Sequence, residues 1–262
     1  MLRFTLADGI TAVTINQSII RIVIQIIAIM YFVFYFGATG LAHATEVGTV
    51  THLNGPLLAT TDNGVKKILA PRSEINSGDT LITADNTYAR IKFVDNGEVT
   101  LRPNTQFKVE NFHYDDKNPE KSNAFFNLLK GGLRAITGFI GKHSANRDKY
   151  RITAASATIG IRGTIFGANN CQGGSCGHGI PDGLHVDVSK GTVVVSNALG
   201  SQELNAGQFG YVPSENSKPV ILPADPGAKF TPPPTFTSKT NTGNGSSGSG
   251  KSGVSGGSCE VH

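Results

Sequence analysis

Apolar and polar residues alternate over short stretches in the middle of the chain, which is typical of β-strands with one buried face. In one clear example, Ala89, Ile91 and Phe93 alternate with Tyr88, Arg90 and Lys92. The sequence Asp95-Asn96-Gly97 then predicts a hairpin turn before a strand over 98–101. Because such patterns recur between glycine-rich turns, we predict an all-β domain over residues 45–222, folded as a β-roll, a solenoid or a sandwich.

A second hairpin is predicted further along the chain. Leu184, Val186 and Val188 alternate with polar residues, and Lys190-Gly191 is expected to turn into a strand over 192–195. The apolar run 125–129 fits either a strand or a short helix.

Two parts of the chain resemble each other. Gly48-Thr49-Val50 is followed by Gly78-Asp79, and Gly191-Thr192-Val193 is followed by Gly207-Gln208. This similarity suggests a repeated β unit.

The segment 153–166 reads TAASATIGIRGTIF and combines small and β-branched residues with two glycines. Gly160 and Gly163 permit close backbone approach or positive φ, so we expect one strand to turn tightly into another here. The guanidinium of Arg162 is then expected to bind carbonyl groups or a carboxylate inside the β core. The alternative is that Arg162 contacts a ligand.

The N-terminal region has the pattern of an export signal. Arg21 precedes an apolar run over 22–36, and Ala42-His43-Ala44 is a cleavage signature. We predict a signal peptide over residues 1–44, cleaved after Ala44, with an uncleaved inner-membrane anchor facing the periplasm as the alternative. Either way, the rest of the chain is expected to be periplasmic or secreted, and to meet the membrane only through an uncleaved leader.

The net charge argues against one class of partner, and the composition of the C-terminal residues predicts a disordered tail. The formal net charge is +4 and the basic residues are dispersed, which argues against nucleic acid as a partner. Residues 223–262 are rich in Pro, Gly and Ser and carry few apolar side chains. Because burial there cannot offset the entropy of ordering, this tail is predicted to be disordered.

The cysteines predict a disulfide. Cys171 and Cys176 lie in a glycine-rich stretch, and an oxidising compartment favours a bond between them. A zinc or copper site with His178 and His185, or a thiol enzyme, are weaker alternatives. We therefore predict no cofactor and no bound metal, and Cys259 has no evident partner.

Five motifs resemble the FecR-type domain and occur in its order. The central one is the GIRGT core with the following Phe166, although Ala155 replaces the usual proline and Ile165 the usual acid. The others are SGDTLIT at 77–83, DNGEVTLRPNT at 95–105, HVDVSKGTVVV at 185–195 and LNAGQ at 204–208. The positions that carry the resemblance, expected to be structural, are Gly78, Asp79, Asp95, Gly97, Gly160, Arg162, Gly163, Thr164, Phe166, Gly191, Gly207 and Gln208.

The resemblance implies a function in signalling. Proteins of this family relay signals from an outer-membrane transporter to a sigma factor. Because only about twenty residues precede the apolar run, this chain is expected to be a stand-alone, exported FecR-type domain without the cytoplasmic sigma-binding region.

We therefore expect a non-enzymatic module that binds a protein or ligand partner in the cell envelope. Two surfaces are candidates for strand addition to a partner: a sheet edge near the predicted 184–195 hairpin, and the Cys171–Gly183 loop. The alternative is a structural cell-surface or adhesin-type module with a flexible tail.

Overall fold

A computed structural model of the chain describes residues 17–36, 45–143, 147–233 and 236. One unit contains the helix α1 (Gln17–Phe36), which includes the apolar run over 22–36. Within these described ranges, no helix has the length and apolar character needed to cross a membrane. The predicted cleavage site at Ala44 and the cysteine Cys259 lie outside the described residues.

The other unit is a β domain that begins at Thr45. Its strands are β1 (Glu46–Asn54), β2 (Leu57–Thr60), β3 (Lys66–Leu69), β4 (Glu74–Asn76), β5 (Thr80–Thr83), β6 (Tyr88–Phe93), β7 (Glu98–Leu101), β8 (Gln106–His113), β9 (Asn123–Ile136), β10 (Tyr150–Ala154), β11 (Thr158–Cys171), β12 (Gly183–Asn197), β13 (Gly200–Asn205), β14 (Phe209–Val212) and β15 (Val220–Leu222). The helix α2 (Phe139–His143) and two 3₁₀ turns, Pro119–Lys121 and Arg147–Lys149, complete the described elements.

The strands form one hydrogen-bonded sheet that is divided into two layers. The order in the first layer is β3-β2-β5-β8-β9-β10-β11-β12-β13. The order in the second layer is β4-β1-β6-β7-β9-β11-β12-β14-β15. The long strands β9, β11 and β12 appear in both layers, because one half of each pairs in the first layer and the other half in the second.

Each of these three strands passes between the layers at a glycine with positive φ. The glycines are Gly131 (φ 81°), Gly163 (φ 62°) and Gly191 (φ 82°). A side chain is rarely tolerated in this conformation, so glycine allows the strand to bend without ending. At Gly191 the space is also limited, since an added Cβ would lie 2.6 Å from the carbonyl oxygen of Gly163.

The core lies between the layers and contains a cluster of aromatic rings. Phe93 of the second layer contacts Phe112 and Phe126 of the first layer, with ring centroids 5.1 and 5.2 Å apart. Phe107 stacks on Phe126 at 5.2 Å, and both side chains are fully buried. These rings replace the tryptophan that the chain lacks as the large apolar groups of the core.

The predicted all-β class is confirmed, and several local predictions are resolved. The turn 95–97 joins β6 and β7 as an antiparallel hairpin. The run 125–129 is part of β9, because Phe126 and Leu128 point inward and their neighbours outward.

Two predicted turns are wrong. Lys190-Gly191 is a bend within β12, not a hairpin, and the segment around Gly160 and Gly163 is a bend within β11. In both strands the glycine has the sequence signature of a turn residue. The strand nevertheless continues beyond the glycine and pairs in the other layer.

The β domain extends beyond the predicted boundary at Leu222. Residues 223–233 and Phe236, which we call the C-terminal segment, lie on the outer face of the second layer. Ala228, Phe230 and Phe236 are buried there. This part of the predicted disordered tail is therefore packed, and the remaining tail residues lie outside the described part of the chain.

Candidate functional site

Gly78 and Asp79 form a tight turn that fixes β4 to β8. A carboxylate oxygen of Asp79 accepts a hydrogen bond from the N–H of Asn76 (2.9 Å). Gly78, at φ 93°, donates its N–H to the carbonyl of Val109 (2.7 Å), and Val109 donates back to the carbonyl of Asp79 (2.9 Å). Both residues therefore satisfy backbone groups.

Gly207 and Gln208 form an equivalent turn at the other end of the domain. The side-chain oxygen of Gln208 accepts from the N–H of Asn205 (2.7 Å), and Gly207 donates to the carbonyl of Val188 (2.8 Å). A third copy spans residues 70–73. The similarity seen in the sequence thus reflects a repeated turn, whose copies bond to Val109 of β8, Val188 of β12 and Val50 of β1.

Asp95 and Gly97 fix the hairpin between β6 and β7 and the start of α2. The carboxylate of Asp95 accepts from the N–H groups of Gly97 (2.9 Å) and Ile140 (3.2 Å). Burial raises the pKa of Asp95, although these two hydrogen bonds oppose the rise. Position 97 favours glycine, since an added Cβ would lie 3.0 Å from the backbone nitrogen of Gly138.

The GIRGT core lies along β11 at the bend between the layers. Ile159 and Ile161 point into the core, so Gly160 and Arg162 face outward. Arg162 is exposed, with no hydrogen bond or ion pair to any described residue. The expectation that its guanidinium lies inside the β core is therefore wrong, because alternation along β11 gives the inward positions to the isoleucines.

The residues after Arg162 hold the bend together. Gly163 of β11 and Gly191 of β12 lie side by side, as their close approach shows. Thr164 donates its N–H to the hydroxyl of Thr137 (2.8 Å), and that hydroxyl donates to the carbonyl of Thr164 (3.1 Å). Phe166 is fully buried. The motif thus has a structural role at the bend and leaves one exposed cation beside it.

The Cys171–Gly183 loop joins β11 to β12 in the second layer. The sulfur atoms of Cys171 and Cys176 are bonded at 2.02 Å, so neither is a free thiolate for metal binding or catalysis. The carboxylate of Asp182 accepts from the N–H groups of Gly173 (2.8 Å) and Gly174 (3.1 Å). The loop is therefore closed covalently at one side and by hydrogen bonds at the other.

The loop is exposed but fixed at its base. Residues 172–175, 177–179 and 181–182 are exposed. Asn170, buried beneath the loop, donates to the carbonyls of Leu128 (3.2 Å) and Leu129 (3.1 Å) in β9, and the hydroxyl of Tyr211 donates to the carbonyl of Asp182 (2.7 Å). Cys176 also lines a cavity of about 270 Å³. The loop thus presents exposed groups in a defined position.

His185, a candidate metal ligand in the sequence, packs against residues at the end of the loop. Its ring stacks on Tyr211 at 4.6 Å, and Nε2 lies 2.8 Å from the carbonyl oxygen of Pro181. No cluster of three or more potential metal ligands occurs among the described residues.

A row of mainly polar residues crosses the outer face of the second layer. Cross-strand register places Arg90, Thr100, Arg134, Gly167 and Asp187 side by side on successive strands. Gly167 leaves room for the neighbouring carboxylate, since an added Cβ would overlap an oxygen of Asp187. Although it faces outward, much of this row is shielded from solvent by the C-terminal segment.

Two phenylalanines hold the C-terminal segment on this face. The ring of Phe230 stacks on Tyr88 at 5.9 Å, and the guanidinium of Arg102 lies 5.5 Å from the centroid of Phe230. Phe236 lies 6.0 Å from Tyr88 and 5.9 Å from the guanidinium of Arg90. Between sheet and segment there is a cavity of about 390 Å³.

The cavity is rich in cations. Its lining includes Arg90, Arg134 and Lys229, with Glu98 as the only carboxylate. The guanidinium of Arg90 lies 3.8 Å from Glu98. The outer-face cavity therefore has an excess of positive charge.

Asp187 lies next to this cavity, on the other side of Gly167 from Arg134. Burial raises its pKa, and the charges of Lys229 and Arg134 only partly oppose this. One of its carboxylate oxygens is buried without a hydrogen-bond partner in the described structure.

Sequence reasoning missed this cavity for two reasons. Arg90 and Arg134 are 44 positions apart, and only the register of β6, β7 and β9 places them in one row. Phe230 and Phe236 lie in a Pro-rich tail whose composition suggests disorder. The available signal was the presence of two phenylalanines among the prolines.

Comparison with known proteins gives a family match for the middle of the chain. Residues 79–194, somewhat under half of the chain, match the family described as FecR protein. No curated protein was found to be similar in sequence.

Solved structures give weaker similarities. Two crystal structures of a candidate anti-sigma factor from Parabacteroides distasonis ATCC 8503 each have a TM-score of 0.41 and 13% sequence identity. Each alignment covers 56% of this chain and 60% of the other, so the chain spans about three fifths of that protein's solved length. A cell surface anchoring domain has 26% identity over 24% of this chain and 82% of its own, with a TM-score of 0.23.

The matched range includes β11 with its bend, the hairpin at Asp95 and all of the Cys171–Gly183 loop. The motifs at 95–105 and 185–195 also fall within this range, the latter apart from its last residue. The resemblance indicated by the sequence motifs is therefore confirmed for residues 79–194, which match the FecR family.

Proposed function

We propose that this protein is a non-enzymatic FecR-type module that binds a protein partner in the cell envelope through the Cys171–Gly183 loop. Membership of residues 79–194 in the FecR family supports a regulatory, signalling-related role. The observation that carries the proposal of a binding surface is the loop itself, which is exposed and yet held by a disulfide and by Asp182.

The geometry favours the loop over the sheet edge as the contact surface. β12 is not an edge strand, because β11 pairs with one side of it and β13 and β14 with the other. Strand addition at 184–195 would require one of these pairs to separate. The loop needs no such change, and its covalent closure reduces the entropy that a partner must overcome on binding.

The disulfide also supports the envelope as the location. Disulfides form and persist in oxidising compartments such as the periplasm and are rare in the cytosol. The leader with its Ala42-His43-Ala44 signature agrees with export. We therefore propose a periplasmic or secreted location for the β domain.

A competition experiment tests the role of the loop. The purified protein is immobilised, envelope extract is applied, and the retained partner is displaced with soluble variants. We expect His178→Glu in the loop, and Cys171→Ser/Cys176→Ser, to compete at least about tenfold less well than the wild type, since a loop contact worth about 1.4 kcal/mol changes affinity tenfold. His113→Glu, an equal change at an exposed position of β8, is the matched control and should compete normally.

If both loop variants compete as strongly as the wild type, the loop is not the contact surface. The proposal would likewise fail if His113→Glu lost competition to the same extent as His178→Glu, because the effect would then come from charge alone.

A further inference from the structure

We propose that the outer-face cavity between the second layer and the C-terminal segment is a binding site for a small oxyanion, a carboxylate or phosphate attached to an apolar group. This site is separate from the Cys171–Gly183 loop.

The two arginines are placed as a pair, and the cavity lining supplies a single carboxylate, Glu98, beside Arg90. Arg90 and Arg134 lie on either side of Thr100, two strand spacings apart, which corresponds to about 10 Å. A group between them would be within reach of both long side chains. The guanidinium of Arg134 makes no hydrogen bond and no ion pair within 4 Å to a described residue, although its charge acts on the nearby Asp187.

Arg90 is the stronger indication of a ligand because it is buried. Its residue exposure is 6%, and a guanidinium has five N–H donors to satisfy. Among the described residues its guanidinium pairs with Glu98 at 3.8 Å, too long for a hydrogen bond, and lies 5.9 Å from the ring centroid of Phe236, which accepts no conventional hydrogen bond. A buried charge with unused donors is costly, and an oxyanion in the cavity would satisfy those donors.

The remaining lining defines the kind of anion. Lys229 adds a third cation from the C-terminal segment, and Thr100 and Ser189 add hydroxyl groups. Ile136, Phe230 and Phe236 form apolar walls. The cavity volume of about 390 Å³ falls in the range of small-molecule sites, about 300–1,000 Å³. The cavity therefore suits an amphipathic anion better than a bare inorganic ion.

Titration calorimetry at low salt with the purified protein tests the proposal. The probes are phenyl phosphate, benzoate, inorganic phosphate and the neutral benzyl alcohol. We expect saturable binding of phenyl phosphate, benzoate or both, weaker binding of inorganic phosphate, and no saturable binding of benzyl alcohol. Binding of one aromatic anion alone identifies phosphate or carboxylate as the preferred group.

Two variants and a matched control identify the site. Arg134→Gln and Lys229→Gln should each weaken binding by about tenfold or more, as expected for the loss of a charge-assisted hydrogen bond. Arg162→Gln removes an equal charge at an exposed position outside the cavity and should change affinity less than about twofold. Lys229 is exposed, so Lys229→Gln tests the site even if Arg134→Gln lowers stability.

The proposal is overturned if neither aromatic anion binds saturably, if benzyl alcohol binds as well as they do, or if Arg162→Gln weakens binding as much as Lys229→Gln. Because the loop variant His178→Glu leaves the cavity intact, it should bind these probes normally. The outcome is thus independent of the partner experiment.

Discussion

The bend at Gly191 offers a quantitative test of the two-layer fold. Alanine at this position would have to adopt φ near +82°, and its Cβ would lie 2.6 Å from the carbonyl oxygen of Gly163 and 2.9 Å from a methyl carbon of Thr164. The left-handed conformation costs a non-glycine residue about 1–2 kcal/mol. Forcing extra atoms into a packed site costs about 1–3 kcal/mol more. We therefore expect Gly191→Ala to lower the free energy of unfolding by about 2–5 kcal/mol.

Gly207 provides a matched control. It has nearly the same conformation, with φ 86°, but no atom lies within 4 Å of an added Cβ. Gly207→Ala should therefore show only the conformational cost of about 1–2 kcal/mol. The difference between the two variants isolates the close approach of β11 and β12 at the bend.

Urea unfolding measures both variants. With a slope of about 2 kcal/mol per molar urea, Gly191→Ala should lower the midpoint by about 1–2.5 M and Gly207→Ala by about 0.5–1 M, at unchanged slope. Equal midpoints for the two variants would refute the reasoning, because the bend would then not require close contact at Gly191.

Three further predictions concern the loop, the C-terminal segment and Asp187. Cys171→Ser/Cys176→Ser should lower the free energy of unfolding by about 2 kcal/mol, the loop-closure value for a short loop, and a chemical denaturation curve that matches the wild type would contradict this. Phe230→Ala should lower it by about 3 kcal/mol or, if the C-terminal segment detaches locally, increase proteolytic cleavage within residues 223–233. Normal stability together with normal resistance to protease would show that the segment does not pack there. Burial raises the folded-state pKa of Asp187, so ionisation of this carboxyl group opposes folding. The protonated carboxyl group contributes its full stability below the unfolded-state pKa of about 4, and this contribution is lost as pH rises through the folded-state pKa. Asp187→Asn should accordingly raise the melting temperature at pH 7 but not at pH 3, and an equal change at both pH values would argue against this cause.

The sequence allowed the class and the simplest elements of the fold to be predicted. The alternation over 88–93 and the turn 95–97 describe a hairpin whose two strands are neighbours in sequence, so local information is sufficient. The repeated turns at Gly78 and Gly207 were visible as a similarity for the same reason.

The long bent strands could not be predicted in this way. A glycine with positive φ has the same local signature in a hairpin and in a bend, and the two differ only in what the following residues pair with. At Gly191 the residues beyond the glycine pair with β11 and β13, and do not fold back on the residues before it. Arg162 was misplaced as a consequence, since a tight turn there would have hidden it.

The outer-face cavity depends on information that is even less local. Its cations come from β6, β9 and the C-terminal segment, which span residues 90 to 229. Composition also misled the prediction for that segment, because Phe230 and Phe236 bury enough apolar surface to fix a Pro-rich stretch.

Site-specific photo-cross-linking in living cells shows whether the Cys171–Gly183 loop contacts an envelope protein. A photoreactive amino acid replaces His178 in the Cys171–Gly183 loop or, in a matched strain, the exposed His113 of β8. We expect a defined cross-linked product with one envelope protein from position 178, abolished by Cys171→Ser/Cys176→Ser, and none from position 113. Cross-linking from 113 but not from 178, or a product from 178 that does not depend on the disulfide, would contradict this expectation.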